Sequence, residues 1–334
     1  MMSTVKTNEL SQILAPIALD FKALDGLIRL RLASKVALID QISTYIIQAG
    51  GKRVRPALLL LVSKALANDK ASPHALDLAA VVEFIHTATL LHDDVVDEST
   101  LRRGRETANA AFGNAASVLV GDFLYSRAFQ MMVGPNDLRV MEILSDATNT
   151  IAEGEVLQLL NMNDPEVDEE SYLRVIRYKT AKLFEASTEL GAILAGADEK
   201  QRAQSAAFGR HIGTAFQLMD DLLDYTADAS QMGKNAGDDL REGKPTLPLI
   251  HLLENGSNEE RLLVRAAIEQ NQDLPNDVFQ QILSAVQNSG ALDYTQATAK
   301  QEVDLALECL KEFPQNEATI ALHALCRYSL SRQT

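Results

Sequence analysis

A chain of 334 residues, 46% hydrophobic and 23% charged, is long enough to bury a large core and lies outside the disordered and fibrous classes. Its net charge of −15 argues against a nucleic-acid partner, since phosphate backbones need clustered Lys and Arg, though a small basic pocket stays open. No apolar run approaches the ~18–20 residues of a membrane span. The opening MMSTVKTNELSQ lacks a signal-peptide core, and Cys309 and Cys326 match no metal or redox spacing, so both read as reduced thiols of a cytoplasmic protein.

Apolar residues recur at helical spacing almost everywhere, and no convincing alternating strand run occurs. The pattern predicts helices at about 10–30, 35–49, 56–68, 75–97, 108–132, 138–161, 169–194, 199–225, 245–254, 259–270, 276–289, 293–312 and 316–331. AGGKRVRP (49–56), RRGRET (102–107) and NMNDPEVDEES (161–171) punctuate them, and Pro56 suits a first helical turn. The longest break, 226–248, follows the acids of QLMDDLLDY directly, and loops of that length inside a compact domain are usually functional or disordered. No low-complexity linker divides the chain. The expectation is all-α: one domain over 1–334, with an N-terminal helix inside 1–30.

Two acidic clusters end apolar helices: LLHDDVVDE carries Asp93, Asp94 and Asp97, and QLMDDLLDY carries Asp220, Asp221 and Asp224. Residues i and i+4 share a helix face, so Asp93 pairs with Asp97 and Asp220 with Asp224. Like charges there repel, and apolar surroundings raise the cost. Something positive must compensate. Carboxylates without Cys or His suit a hard ion, and Mg²⁺ takes one or two carboxylates and completes its shell with water and phosphate oxygens. His92 adjoins the first cluster but lies off the Asp93/Asp97 face. A single acidic run is more often a solvated helix end; two, each followed by basic loop residues, make a metal–phosphate site the stronger reading. The basic residues are Lys52, Arg53 and Arg55 at a helix start, Arg102 and Arg103, Lys179 and Lys182 beside Thr180, and Lys234 and Lys244 in the long break. Individually each suits a solvated surface. Together they suit two anionic groups, one bridged by metal and one gripped directly.

In order, GKRVRP, LLHDDVVDESTLRRG, YKT, AFQLMDDLLDY and GKNAGDDLREGKPTLP resemble the motifs of the trans-isoprenyl diphosphate synthases, over residues 45 to 250 or so. VLVGDFLYSRAFQMM and IAEGEVLQLLN resemble the bacterial octaprenyl diphosphate branch of that family, which makes the ubiquinone side chain. The resemblance implies a helical bundle of the isoprenoid synthase type with a central cavity, and a homodimer. It also implies Mg²⁺-dependent sequential condensation of isopentenyl diphosphate onto an allylic diphosphate such as farnesyl diphosphate.

Carried over by position, Asp93 and Asp97 hold Mg²⁺ on the allylic diphosphate and Asp220 holds a further ion, three ions in all. Asp94, Asp221 and Asp224 ligate or support. Arg102, Lys179, Thr180, Gln217, Lys234 and Lys244 contact the allylic substrate or its departing diphosphate. Lys52, Arg55, His86 and Arg103 hold isopentenyl diphosphate, and residues 226–248 form a lid. The chain departs from some relatives at Met219, Glu155 and Gln158. Below Asp93 the small Ala88 and modest Thr89 leave open a level that short-product relatives block with aromatics; Phe129, Met131 or Met132 is the expected floor of a long tunnel. The alternatives are a shorter- or longer-chain synthase, a class I terpene cyclase, a non-catalytic partner subunit, or a helical scaffold. Transient membrane contact for product release is a further expectation.

Overall fold

The computed structural model describes residues 9–48, 50–67, 72–102, 104–226, 237–269 and 274–331. The helices are α1 (Ala18–Leu32), α2 (Ala37–Gln48), α3 (Val54–Leu66), α4 (Ala75–Val96), α5 (Ala108–Phe112), α6 (Asn114–Met132), α7 (Leu138–Asn161) and α8 (Glu169–Ile176). They continue as α9 (Lys182–Leu194), α10 (Glu199–Thr226), α11 (Asp238–Arg241), α12 (Leu247–Asn255), α13 (Asn258–Glu269), α14 (Asn276–Asn288), α15 (Ala291–Cys309) and α16 (Glu317–Ser331). The fold is all-α, as the periodicity predicts.

Four local departures from the sequence pattern have physical causes. Residues 108–132 form two helices rather than one: Gly113 stands between them at φ 87°, where its N–H closes α5 on the Asn109 carbonyl at 2.8 Å. The stretch 169–194 is interrupted by a single π turn, Arg177–Ala181, which joins α8 to α9. A two-stranded antiparallel pair, β1 (Leu101–Arg102) with β2 (Arg105–Glu106), closes through Gly104 at φ 72°. Inside the long break, α11 forms after Asp224, whose carbonyl accepts from Gly237 N at 2.9 Å.

Contacts gather into two compact units, each drawn from separate parts of the chain. Unit 1 comprises Met1–Thr148, Leu183–Gly209 and Ala306–Tyr328; unit 2 comprises Asn149–Lys182, Arg210–Leu305 and Ser329–Thr334. In unit 1, α3 is buried on every side through Leu58, Leu59, Leu61 and Val62, and α4 buries Leu78 through Val82, Phe84, Ile85, Ala88 and Leu91. Gly191 on α9 admits α3 closely, since a Cβ there would stand 2.6 Å from the Leu59 carbonyl oxygen. Unit 2 packs Tyr172, Ile176, Leu218 and Leu222 with Leu247 and Ile250, and packs Tyr225 and Leu240 with Phe279 and Ile282.

The expectation that no apolar run reaches a membrane span needs one correction. At 22 residues and a mean hydropathy of 1.3, α4 is long and apolar enough by length and composition. Half of that window is buried inside the protein, which is how a core helix acquires such a composition. Cys326 is buried, burial pushes its thiol up to about 12, and no disulfide joins it to Cys309.

Candidate active site

The first acidic cluster closes α4. Asp97 caps the helix with its N–H on the Asp93 carbonyl at 2.8 Å, and Glu98 then turns the chain through φ 50°. The three acids meet different surroundings. Asp93 and Asp97 are half-buried, whereas Asp94 is 4% exposed. Arg102 explains that burial: its Nε and Nη2 both reach Asp94 Oδ1 at 2.7 Å. Burial pushes the Asp94 carboxyl up, Arg102 pulls it down, and Asp93 and Asp97 push up again; the net direction is upward. The hairpin that presents Arg102 is bolted to the helix end. Asn109 Nδ2 donates to the Asp94 carbonyl at 3.0 Å, and Thr107 Oγ1 donates to the Ser99 carbonyl at 2.7 Å while accepting from Ala110 N.

The basic loop ahead of α3 divides its cations. Arg53 takes a left-handed conformation at φ 46° and pairs with Asp25 and, at 3.9 Å, with Glu83. Arg55 points elsewhere, its guanidinium 4.5 Å over the Phe184 ring. Lys52 is half-buried. His86 lines one cavity with Asp94, Arg102, Arg53 and Leu90, so unit 1 gathers residues expected of both substrates around the end of α4. His92, left off the acidic face by the sequence reading, packs on α6, its Nε2 3.2 Å from the Val118 carbonyl. Gly121 makes that approach possible, because a Cβ there would lie 2.3 Å from His92 Nε2.

The second cluster lies on α10 within unit 2. Asp220 is exposed, while Asp221 and Asp224 are each 4% exposed. Both oxygens of Asp221 are engaged: Tyr172 OH donates to Oδ2 at 2.5 Å and Gln217 Nε2 donates to Oδ1 at 2.8 Å. The other end of Gln217 accepts from Thr180 Oγ1 at 3.0 Å. Burial, with Asp239 and Asp220 adding, pushes the Asp221 carboxyl up to about 8 against the bonds from Tyr172 and Gln217. Asp224 Oδ2 accepts from Asp239 N at 3.2 Å and so anchors α11. Lys179, on the π turn, pairs with Glu155 Oε2 of α7 at 2.6 Å. Gly154 lies against the same turn: a Cβ there would stand 2.6 Å from Lys179 N. Lys244 is tied to Glu242 at 2.5 Å. Arg103 and Lys234 lie outside the described residues.

Of the expected tunnel residues, Ala88 is fully buried and Thr89 Oγ1 donates to the His86 carbonyl at 2.7 Å. Met131 and Met132 are buried, while Phe129 is 43% exposed and stacks on Tyr125.

Over residues 36–286 the sequence matches the family described as polyprenyl synthetase. The chain belongs to the polyprenyl synthetase family. This synthetase is 49% identical over 331 residues to the octaprenyl diphosphate synthase of Escherichia coli K12, covering 99% of each chain. It is 48% identical over 320 residues to the all-trans-nonaprenyl-diphosphate synthase (geranyl-diphosphate specific) of Rhodobacter capsulatus, covering 96% of this chain and 97% of that one. Among solved structures, the polyprenyl synthase of Caulobacter crescentus CB15 in complex with calcium and isoprenyl diphosphate aligns with a TM-score of 0.93 at 42% identity, over 97% of this chain and 98% of that one. The protein is therefore a long-chain trans-polyprenyl diphosphate synthase, a prenyltransferase.

The donor set of the synthetase fits a hard divalent cation. Among the described residues no group of three or more His, Cys, Asp and Glu side chains forms a self-contained metal cage. Mg²⁺ needs none, because one or two carboxylates plus water and substrate phosphates complete its shell. Asp93 and Asp97 in unit 1, and Asp220 in unit 2, are acids open to solvent. Sequence reasoning missed Tyr172, and it left Glu155 without a role. Tyr172 stands seven residues before Lys179, the same two-turn spacing that singled out His86 before Asp93.

Proposed function

We propose that this chain makes octaprenyl diphosphate by Mg²⁺-dependent, sequential condensation of isopentenyl diphosphate onto farnesyl diphosphate. The observation that carries the reading is the division within each acidic motif. Asp94 and Asp221 are buried and held by protein donors, while Asp93, Asp97 and Asp220 stay within reach of solvent.

Asp93, Asp97 and Asp220 would hold three Mg²⁺ ions against the allylic diphosphate, where the metal supplies Lewis-acid charge. Lys179, Lys234 and Lys244 would stabilise the charge that gathers on the departing diphosphate as the allylic C1–O bond breaks. Lys52, Arg55, His86 and Arg103 orient isopentenyl diphosphate so that its C4 bonds to that cationic C1. Loss of a proton from C2 to the released diphosphate restores the alkene. No nucleophilic Ser or Cys enters, and water must be kept out lest it quench the cation; the 226–248 segment is the lid. The whole chain would act as one domain, as a cytoplasmic homodimer that touches membrane only to release product.

Product length is read on α4. Ala88 and Thr89 leave the chain-growth level open, and Met131 or Met132, both buried, closes it further down; Phe129 lies too exposed to serve. Relatives at 49% and 48% identity carry octaprenyl and nonaprenyl names, so a nine-unit product is the second reading. The test is incubation with farnesyl diphosphate, labelled isopentenyl diphosphate and Mg²⁺, with dephosphorylated products sized by mass spectrometry. Eight units are expected, and Ala88→Tyr should stop growth earlier. No elongation by the folded protein would refute the synthase reading, and unchanged length in Ala88→Tyr would refute the tunnel.

A further inference from the structure

We propose that Tyr172 is a positioning residue for the allylic-diphosphate side of the reaction. Its hydroxyl holds Asp221, Asp221 orients Gln217, and Gln217 fixes Thr180 on the π turn that presents Lys179. The proposal rests on the function stated above.

Three observations carry it. First, Asp221 is fully committed to the protein: Tyr172 OH donates to Oδ2 at 2.5 Å and Gln217 Nε2 donates to Oδ1 at 2.8 Å. A buried carboxylate with both oxygens engaged is a structural acceptor rather than an outward-facing ligand. Second, that carboxylate decides which way Gln217 points. With Tyr172 OH on Oδ2, Asp221 presents Oδ1 to Gln217 as an acceptor, so the amide NH₂ faces Asp221 and the amide oxygen faces away. The oxygen then accepts from Thr180 Oγ1 at 3.0 Å. If Asp221 turned away, nothing in this chain of bonds would keep the amide from flipping, and a flipped amide offers Thr180 an NH₂ in place of an acceptor.

Third, the far end of the relay is the π turn Arg177–Ala181. Such a turn inserts an extra residue into a helix, rotates the side chains that follow, and persists only where tertiary contacts hold it. Thr180 supplies one contact from within the turn, and Lys179 supplies another through Glu155 at 2.6 Å. Tyr172 sits on α8, one helix upstream of the turn, so it fixes the acidic helix and the Lys179 segment to each other. The ring is buried at 5% exposed and packs with Ile176, Leu218 and Leu222. A phenylalanine would fill that space and remove only the bond.

The experiment is Tyr172→Phe in the full chain, compared with wild-type protein already shown to elongate farnesyl diphosphate with Mg²⁺. A wild-type failure would sink the function itself and is recognised before any variant is made. Binding of farnesyl diphosphate plus Mg²⁺ is measured by calorimetry without isopentenyl diphosphate, so no turnover enters that readout. Loss of one buried hydrogen bond should weaken this binding and lower kcat by about ten-fold, with KM for isopentenyl diphosphate within about two-fold of wild type. Unchanged allylic binding and kcat, or an equal rise in both KM values, would overturn the proposal and leave Tyr172 a core residue. If Tyr172→Phe does not fold, Tyr172→Met, which keeps apolar bulk and removes the hydroxyl, is read in the same way. The relay requires weaker allylic binding with KM for isopentenyl diphosphate unchanged; an equal rise in both KM values overturns it.

Discussion

Two glycines in helix interiors show how much a single side chain depends on what faces it. A methyl group on Gly154 would stand 2.6 Å from Lys179 N and 2.9 Å from Tyr178 Cβ, so backbone blocks it on the side of the π turn. A methyl group on Gly26, in α1, would meet nothing within 4 Å. Gly154→Ala should therefore lower stability by about 1–3 kcal/mol, the usual cost of overpacking. It should also reduce kcat beyond what lost stability explains, because Lys179 moves with the turn. Gly26→Ala should raise stability by about 0.5–1 kcal/mol and leave kinetics alone. Urea unfolding and steady-state kinetics on the two variants check both outcomes; a Gly154→Ala enzyme with wild-type stability would show that α7 and the turn can move apart.

Among the elements, the π turn between α8 and α9 is braced from several directions. Besides Gly154, Glu155 and Gln217, Arg177 Nη2 reaches Glu302 Oε1 of α15 at 3.2 Å, and His211 Nδ1 of α10 lies 2.6 Å from Glu302 Oε2. Burial raises the Glu302 carboxyl, but the His211 bond and Arg177 outweigh it and leave the group below its ordinary value. The sign follows directly. A carboxylate depressed in the folded state adds stability above its unfolded value, and that stability is lost as pH falls through the folded value. Glu302→Gln should thus cost about 2 kcal/mol at neutral pH, in the range for a partly buried charged hydrogen bond. The deficit should shrink as pH drops below the ordinary carboxylate range, which thermal melts at stepped pH will read. A deficit independent of pH would mean that packing, not charge, holds α15 to the turn.

For the whole molecule, the apolar surface of unit 1 bears on the proposed homodimer. Leu119, Phe129 and Val133 on and just after α6 are 67%, 43% and 54% exposed, and Leu138 and Met141 on α7 are 75% and 38% exposed. Where exposed apolar side chains adjoin they mark an interaction surface, and a second copy is the proposed occupant. Leu119→Lys should convert a dimer to monomers in light scattering at micromolar concentration, since a charge buried at such a contact has no partner. A wild-type protein that is itself monomeric would remove the dimer from the proposal without touching the chemistry.

The family, the helices and the candidate motifs were legible because they rest on local spacing. The period of 3.6 placed nearly every helix, the i, i+4 arrangement of Asp93 with Asp97 called for a positive partner, and GKRVRP and YKT carried their bases in short runs. What the sequence could not reveal depends on partners far along the chain. Asp93, Asp94 and Asp97 read as near equals in a line of letters, yet Arg102, folded back by a two-residue hairpin, takes Asp94 out of solvent. Tyr172 reads as one more core aromatic until its hydroxyl meets Asp221, 49 residues away. The π turn left no trace in the apolar pattern, because one inserted residue shifts backbone bonding without changing which residues are hydrophobic. Local periodicity is set by backbone geometry that every residue shares, so a sequence alone determines it. Which carboxylate is buried, and which donor holds it, depends on close packing between distant segments, and only the tertiary structure decides that.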